Sequence, residues 1–542
     1  MEDVQKKSWL SPRKALIMIA LLAFVMRLLA VLTRPMLQLD ETIYARMAEN
    51  LINGQGFVDL TGNATAHFSP LFPAIIAAVS MIFRDYAIAG YAVVIVFGTL
   101  IVIPTYLLGR ELIGERVGLM AAALIAVIPL FVDYSSRLYS ESVYIFFLMM
   151  ALFFAWQMLG KRRLPCAAMA GLSLGLAYLV NPSTVFYIFL IVGLAVVVSL
   201  KQRAFKQMLK PLVLFLAVFS IFALPYITFI HNVTGKWTYT GKESYEQVFT
   251  ATHNLRYGTL EWEKQASALT DDGRESWMAR AESGDDIVSY LALHPKQAIK
   301  IFVNQSNVFY TEQLARVMPL WLLMLLGLGL FARDWDRRRA AAVGFIFLMM
   351  SPALIILAMY ATDRFFMPFV PPALILVAIG WRKLEQWGIE TISLSLRGPR
   401  RELWRKLVPW LIGFAVLAPV ILFTFGGLLG TSYDMQYREA GEWIKQEAGS
   451  GKIVMGRWES SSSYYSGGVS IGLPYADYDH LTTFARSRGV DYIVLGRQAI
   501  YDFRPELVRL LDDSSEHPEW KLVKTIRPGS DQETLIFQLV KD

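Results

Sequence analysis

The chain has 542 residues, of which 55% are hydrophobic and 18% are charged, whereas roughly a quarter of the residues in a soluble domain are charged. Apolar runs long enough to cross a bilayer recur from residue 14 to residue 429, which excludes a soluble globular protein. The net charge of +7 lies in short loops between these runs, where it orients a membrane protein and does not indicate nucleic-acid binding. Cys166 is the only cysteine, so an intrachain disulfide is excluded.

The apolar runs predict eleven membrane spans, at 14–33, 86–109, 116–133, 142–159, 164–181, 184–200, 208–230, 315–332, 340–359, 366–380 and 407–429. The first run, Ala15 to Thr33, is followed by no small-residue cleavage site, so we expect a retained helix and not a signal peptide. The run from Leu71 to Phe83 is too short to cross comfortably, and we expect it to lie flat on, or dip into, the outer interface.

The basic residues segregate between alternate loops. With the N-terminus inside, the inner loops carry most of the lysines and arginines. Apart from 231–314 and the C-terminal region, the outer segments carry only Arg34, Arg46, Arg84, Arg137 and Arg364. Because positive charge is retained on the inner side, this asymmetry predicts that the C-terminus is outside.

Three polar segments are predicted on the outer side, at 34–70, 231–314 and 430–542. The end of the second segment, Asp285 to Phe309, has the pattern of an interfacial helix. The third alternates helical and strand-like runs and predicts a small α/β domain. The predicted fold class is therefore an all-α polytopic membrane protein, residues 1–429, followed by an α/β domain, residues 430–542.

Two adjacent carboxylates, Asp40 and Glu41, follow the first span directly. Charge at the bilayer surface is costly unless it has a functional role or is solvated. Apolar residues at i, i+4 and i+8 behind the pair predict a short amphipathic helix along the membrane, which Gly54 ends. Asp40 has two compatible interpretations, as the N-cap of this helix and as a proton acceptor.

Other polar residues lie at the outer ends of later spans. Glu141 opens a helix, where the helix dipole favours an acidic residue. Arg364 is a permanent cation that suits a phosphate, or it snorkels to lipid headgroups. His67 and Ser69 precede the short apolar run at 71, but a lone histidine is more often a surface or core residue than a ligand. The spacing of His, Cys and carboxylates predicts no metal site.

Taken together, these motifs resemble the bacterial branch of the protein O-mannosyltransferase superfamily, which has the C-type glycosyltransferase architecture and is related to the lipid A aminoarabinose transferase. The resemblance covers roughly residues 15–380 and rests on the order of several short motifs. They are the acidic pair after the first span, Asn53-Gly54-Gln55-Gly56, Ser69-Pro70-Leu71, Leu138 with Ser140-Glu141, Tyr290 with His294-Pro295, and Arg364-Phe365 with Pro368.

The resemblance implies an inverting transfer of a sugar from a polyprenyl-phosphate carrier. Asp40 matches the family's catalytic acidic position, and the first outer loop, 34–85, becomes the catalytic loop. The acceptor hydroxyl must lose its proton as it attacks, so Asp40 serves as the general base, with Glu41 beside it and Glu141 facing it.

The leaving group is already a phosphate, so it requires cations and not a general acid. Arg364 and Arg137 are the candidates for this role, and His67, Ser69 and Tyr44 are further candidate substrate contacts. The aminoarabinose transferase has a Glu-Lys-Pro step where this chain has Phe68-Ser69-Pro70. A phosphate-binding lysine is thus missing at this position, which leaves the exact donor open.

The expected partners are a polyprenyl-phosphate sugar, an extracytoplasmic glycan, lipid or protein acceptor, and membrane lipids, with no nucleic acid. The expected location is a bacterial inner membrane, with the active site on the outer face. No cofactor is assigned, and the participation of a divalent metal stays open. Two alternatives remain, a transporter or flippase of a lipid-linked saccharide and a non-catalytic envelope assembly protein. The enzyme interpretation predicts that Asp40, Glu141 and Arg364 line one site.

Overall fold

A computed structural model of the chain describes residues 11–242, 258–269, 273, 293–331, 336–358, 361–429, 433–457, 459–512 and 518–540. Most of these residues are helical. In the first half of the chain the helical segments are Pro12–Leu32, Asp40–Ile52, Leu71–Phe83, Tyr86–Leu100, Val102–Leu112, Glu115–Val127, Pro129–Tyr134, Glu141–Lys161, Leu164–Tyr178, Pro182–Thr184, Val185–Lys201, Phe205–Thr234 and Leu260–Ala266. In the second half they are Pro295–Val308, Phe309–Gln313, Leu314–Val317, Leu320–Leu330, Arg337–Met350, Ala353–Leu357, Asp363–Phe366, Met367–Phe369, Val370–Ser395, Gly398–Leu429, Met435–Ala448, Glu459–Ser466, Tyr478–Ser487, Arg497–Phe503, Pro505–Leu507 and Val508–Asp512.

Within the described residues, eight helices are long and apolar enough to cross a membrane, or nine if one bent pair is counted as a span. The eight coincide with predicted spans, and they lie at Pro12–Leu32, Tyr86–Leu112, Glu141–Lys161, Pro182–Lys201, Phe205–Thr234, Arg337–Leu357, Asp363–Ser395 and Gly398–Leu428. The predicted class of multi-pass helical membrane protein is confirmed. The total of eleven crossings stays a prediction.

The three other predicted spans are irregular, for three different reasons. The span at 116–133 is divided before Pro129, and the span at 164–181 holds a helix of only 15 residues. The span at 315–332 is part of the pair that bends by 96° between Val317 and Leu320. The apolar helix Leu71–Phe83 has 13 residues, about 20 Å of length against a hydrocarbon thickness of about 30 Å.

The break at Pro129 is stabilised by polar groups of the first and last spans. Proline has no backbone N–H, so the carbonyl of Ile125 lacks its usual helical donor. The guanidinium of Arg27 is fully buried and donates to the carbonyls of Ile125, at 3.3 Å, and Ala126, at 3.0 Å. The hydroxyl of Thr424 donates to the next carbonyl along, at 2.8 Å. The segment that follows the break is thereby fixed to the helix bundle.

The long polar segment 231–314 is described in parts. The predicted interfacial helix appears as Pro295–Val308, and its residues Ile299 and Val303 are exposed. Residues 285–292, which include Tyr290 of the family-like motif, lie outside the described residues. The exposed apolar side chains agree with a helix that rests on lipid.

The C-terminal region forms the predicted α/β domain. Its five strands are β1 (Ile453–Gly456), β2 (Val469–Gly472), β3 (Tyr492–Gly496), β4 (Trp520–Ile526) and β5 (Thr534–Leu539). The order in the sheet is β2-β1-β3-β5-β4, with β1 parallel to β2 and β3, and β5 antiparallel to β3 and β4. Helices pack on the sheet and bury two apolar clusters around it, as is usual for α/β domains.

This domain contacts both polar segments that precede it. The amide of Ser470 donates to the carbonyl of Leu60 in the first loop, at 2.9 Å. In the second segment, the buried carboxylate of Glu263 pairs with Arg457, at 2.9 Å, and with Arg504, at 2.7 Å. The domain therefore holds both loops on the same side of the helix bundle.

Candidate active site

Helix Asp40–Ile52 places the acidic pair at the start of its first turn. The residue at its N-cap is Leu39, and no side chain caps the helix. The interpretation of Asp40 as the N-cap is therefore wrong, because Asp40 lies one residue further along, inside the helix. The predicted stop is present, since the helix ends at Ile52 and Gly54 adopts a φ of +75°.

Arg364 joins the two carboxylates that come from separate segments. Its Nη1 lies 2.7 Å from Oδ2 of Asp40, and its Nε donates to Oε1 of Glu141. The guanidinium also lies over the ring of Tyr139, with 4.2 Å between its central carbon and the ring centroid. The structure thus brings together Asp40, Glu141 and Arg364, the three residues that the enzyme interpretation places in one site.

Each of the two carboxylates retains an unused oxygen. Oε2 of Glu141 is buried and has no hydrogen-bond partner, and among the described residues none donates to Oδ1 of Asp40. A buried acceptor without a donor is costly. This cost makes Oε2 of Glu141 a suitable place for a substrate hydroxyl, whereas Oδ1 of Asp40 belongs to a side chain that is one-third exposed and accessible to a substrate.

Glu41 connects two loops and does not face Arg364. Its side chain is buried, and its two oxygens accept from the backbone amides of Gln38, at 2.8 Å, and Leu138, at 3.0 Å. Burial raises the pKa of this carboxyl, although the two amides oppose the shift. Glu41 therefore ties the first loop to the loop that carries Glu141.

Arg137 belongs to a neighbouring ion-pair cluster. Its Nη2 lies 3.1 Å from Oδ2 of Asp133, and Arg34 also pairs with this carboxylate. Burial, the largest single effect, would lower the pKa of Arg137, but Asp133, Glu41 and other nearby acidic groups together raise it. Arg34, which the sequence did not single out, further donates to Ser136, at 2.8 Å. Arg137 therefore pairs with Asp133 in this cluster, whereas Arg364 pairs with Asp40 and Glu141.

Tyr44 and Ser69 are both buried beside the site. The hydroxyl of Tyr44 donates to Oγ of Ser140, at 3.4 Å, next to Glu141. Its ring packs edge-on against Phe68 and Phe72. The hydroxyl of Ser69 accepts from Tyr226, also at 3.4 Å. Tyr44 therefore adjoins Glu141, whereas Ser69 lies against Tyr226, and burial raises the pKa of Tyr44 above its usual range.

A second cation, Lys242, comes from the segment 231–314. Gly241 lies so close to Ala66 that an added Cβ would be 2.3 Å from the Ala66 oxygen, and this contact brings Lys242 to the site. Desolvation and the charge of Arg364 lower the pKa of Lys242, while Glu141 and Asp40 oppose the shift. Nothing in the sequence distinguished this lysine, because the pattern and the family-like motif of this segment lie more than forty residues later, from Asp285 onward.

His67 lies within the electrostatic field of Lys242. Desolvation comes first and the charge of Lys242 second among the causes that lower the pKa of His67 to about 4. Both side chains are nevertheless exposed to solvent, so they line a recess that water can enter. The lowered pKa favours the uncharged imidazole of His67.

The comparisons with known proteins agree with this architecture. The model of the dolichyl-phosphate-mannose-protein mannosyltransferase family matches residues 67–227, a stretch that contains His67, Ser69, Arg137 and Glu141 but begins after Asp40. The resemblance to protein O-mannosyltransferases is confirmed. No curated protein sequence matches the chain.

Solved membrane glycosyltransferases share the fold at low sequence identity. The oligosaccharyltransferase of Archaeoglobus fulgidus in complex with Zn and sulfate is 14% identical, with a TM-score of 0.63 over 97% of this chain and 73% of that one. ArnT of Cupriavidus metallidurans bound to undecaprenyl phosphate is 13% identical, with a TM-score of 0.58 over 97% of this chain and 98% of that one. The arabinofuranosyltransferase AftD from Mycobacteria is 13% identical, with a TM-score of 0.52 over 98% of this chain and 40% of that one. The chain therefore has the C-type glycosyltransferase fold.

The zinc in the archaeal oligosaccharyltransferase raises the question of a metal in this chain. Within the part of the chain that the structure describes, no group of three or more His, Cys, Asp or Glu residues is arranged to hold one. Asp40 and Glu141 converge on the guanidinium of Arg364 instead. The negative charge of these two carboxylates is therefore partly balanced by Arg364.

Proposed function

We propose that the chain is a membrane glycosyltransferase that moves a sugar, with inversion, from a polyprenyl-phosphate carrier to an extracytoplasmic hydroxyl acceptor. The convergence of Asp40, Glu141 and Arg364 carries this proposal, because it combines proton acceptors with a phosphate-binding cation. The family match and the undecaprenyl phosphate bound to ArnT, a protein of the same fold, support the class of donor.

Asp40 acts as the general base. As the acceptor oxygen attacks the anomeric carbon, its proton passes to Oδ1 of Asp40, the oxygen that Arg364 does not engage. The bond between the anomeric carbon and the phosphate oxygen breaks, and its electron pair stays on the phosphate. Attack opposite the leaving phosphate inverts the anomeric centre.

The carrier phosphate binds to the two cations of the site. Arg364 is a planar donor that binds phosphate through two N–H groups, and Lys242 adds a second positive charge on the side of Ala66. When Arg364 turns to the phosphate, its ion pair with Asp40 is released. Binding of the donor thereby frees the base at the moment when the base is required.

Glu141 orients a substrate hydroxyl. Its Oε1 holds Arg364, while its Oε2 is buried and has no donor among the residues that the structure describes. A sugar or acceptor hydroxyl that donates to this oxygen removes the cost of the unpaired acceptor. Selectivity for a hydroxyl at this position follows, since an analogue without it leaves the oxygen unpaired.

A transfer assay tests the function. Purified protein in liposomes is given a panel of polyprenyl-phosphate sugars and hydroxyl acceptors, and product and released carrier phosphate are measured. We expect transfer from one class of donor, and none with Asp40→Asn. Movement of intact donor across the liposome membrane without release of carrier phosphate would contradict the enzyme and support the flippase interpretation.

The active site is proposed to face the outer side of a bacterial inner membrane. The loop charges of the sequence support this orientation, and the site lies next to the C-terminal domain that they place outside. A lipid-linked donor in the outer leaflet then reaches the site without crossing the membrane.

A further inference from the structure

The backbone turn directly before Asp40 is strained. Leu39 has a φ of 50° and a ψ of −127°. Arg84 and Arg162 also have positive φ, but their ψ values of 18° and 30° belong to the left-handed helical region, which side chains tolerate. The conformation of Leu39 lies outside that region and suits glycine alone. Such a residue persists only where its surroundings hold it in place.

The C-terminal domain supplies part of what holds this turn. The amide of Leu37 donates to the hydroxyl of Tyr465, at 2.8 Å. The hydroxyl of Ser461 donates to the carbonyl of Leu37, at 3.5 Å. Both residues belong to helix Glu459–Ser466, which packs against the helix that begins at Asp40. Two peptide groups before the strained residue, the chain is thus tied to a different domain.

The other side of the turn is tied to the helix bundle. Glu41 accepts from the amides of Gln38 and Leu138. Leu37 and Leu138 pack together with Ala45 in a buried cluster, against which the ring of Tyr464 lies. The turn is therefore held from two directions, and the hydrogen bond from the Leu37 amide to Tyr465, at 2.8 Å, is the shorter of the two that reach Leu37 from the C-terminal domain.

We propose that the C-terminal domain, through the hydroxyl of Tyr465, holds the strained turn at Leu39 and so aims Asp40 at the substrate. This inference rests on the proposed function, in which Asp40 is the base. Tyr465 is a positioning residue and does not contact the reacting atoms. The domain then contributes to the rate of the chemical step, in addition to any contact with the acceptor.

The test compares two adjacent tyrosines in the full-length protein. Tyr465→Phe removes the acceptor for the Leu37 amide and keeps the ring. Tyr464→Phe is the matched control, since the Tyr464 hydroxyl has no hydrogen-bond partner among the described residues. Because a small misplacement of a catalytic group is costly, we expect kcat of Tyr465→Phe to fall roughly tenfold to a hundredfold. The KM for the donor should stay unchanged, and Tyr464→Phe should behave as wild type.

A rescue variant tests the role of strain. In Tyr465→Phe/Leu39→Gly the turn adopts its conformation without steric cost, so kcat should recover part of the loss. Hydrogen exchange at the Leu37 amide should be faster in Tyr465→Phe than in wild type, a measurement that does not depend on activity.

Several results overturn the inference. They are wild-type kcat in Tyr465→Phe, an equal loss in Tyr464→Phe, a change in KM alone, no recovery in the double variant, and unchanged exchange at Leu37. Failure of the proposed function is a separate result, because it appears as an absence of transfer by the wild-type protein, and failure of the base assignment appears as full transfer by Asp40→Asn.

Discussion

The guanidinium of Arg364 lies against the carboxylate of Asp40, with 2.7 Å between Nη1 and Oδ2, although 324 positions separate the two residues in the chain. The same guanidinium holds Glu141 through its Nε. One cation therefore sets the relative position of two acidic residues that arise from different loops. Substitutions at each position of this ion-pair triad have different expected outcomes.

Asp40→Asn should abolish transfer. A general base contributes on the order of a hundredfold to ten-thousandfold in rate, and an amide cannot take the proton. The fold should survive, since Asp40 does not cap its helix and Asn has nearly the same size. Transfer rates and thermal unfolding are measured on the same preparation. A folded Asp40→Asn protein with wild-type transfer would remove Asp40 as the base, and Glu41→Gln would be the next variant to examine.

Arg364→Ala should raise the KM for the donor and lower kcat, because the phosphate loses its main cation and the two carboxylates are left to repel each other. Arg364→Lys should recover only part of the activity, since lysine lacks the planar fork. Donor titrations of both variants provide the measurement. Arg137→Ala is the comparison, and we expect a smaller effect because that side chain pairs with Asp133, whereas Arg364 pairs with the proposed base and with Glu141. The reverse order of effects would assign the phosphate to Arg137.

Lys242 should make donor affinity depend on pH. Its pKa is lowered below the ordinary value of 10.5, first by desolvation and then by Arg364. The ammonium is present below this lowered pKa and is lost as the pH rises through it, so the KM for the donor should increase on the alkaline side. Lys242→Arg should move that increase to higher pH, because the guanidinium keeps its proton. A KM profile of Lys242→Gln that still matches wild type would show that this lysine does not bind the phosphate.

The orientation of the chain is tested with reporters. A fusion after Asp542 should be active only on the outer side, since eleven crossings from an inner N-terminus end outside. A second fusion in the basic loop after Ser395 should be active only on the inner side. Inner activity of the first fusion would contradict the placement of the α/β domain and of the active site with it.

The main features of the site were accessible from the sequence, because charge at the edge of a span is costly and therefore conspicuous. Asp40, Glu141 and Arg364 each stand at such an edge, and the structure brings them together. Lys242 could not be found in this way. It lies in a long polar segment where a lysine is unremarkable, and only the contact of Gly241 with Ala66 brings it to the site.

The α/β domain and most spans followed from periodicity and hydropathy, but local breaks did not. A hydropathy window averages over Pro129 and cannot register a missing N–H group, so 116–133 was predicted as one span. The N-cap position of Leu39 was not predicted either, because it depends on tertiary contacts and not on the local sequence. Aspartate is a common N-cap, whereas a leucine with positive φ is held by contacts with a distant domain.

Arg27 has a consequence for the biosynthesis of the protein. A guanidinium in the hydrocarbon region is costly, by about 3 kcal/mol on insertion scales and more on an isolated helix. Its carbonyl partner at Ala126 lies 99 positions later in the chain. This hydrophobic segment therefore leaves the ribosome before its acceptors at Ile125 and Ala126 have been translated, with the carbonyl of Ala23 in the same helix as its local acceptor. Its stable integration depends on the later helix, so the two segments are expected to assemble as a pair and not one after the other.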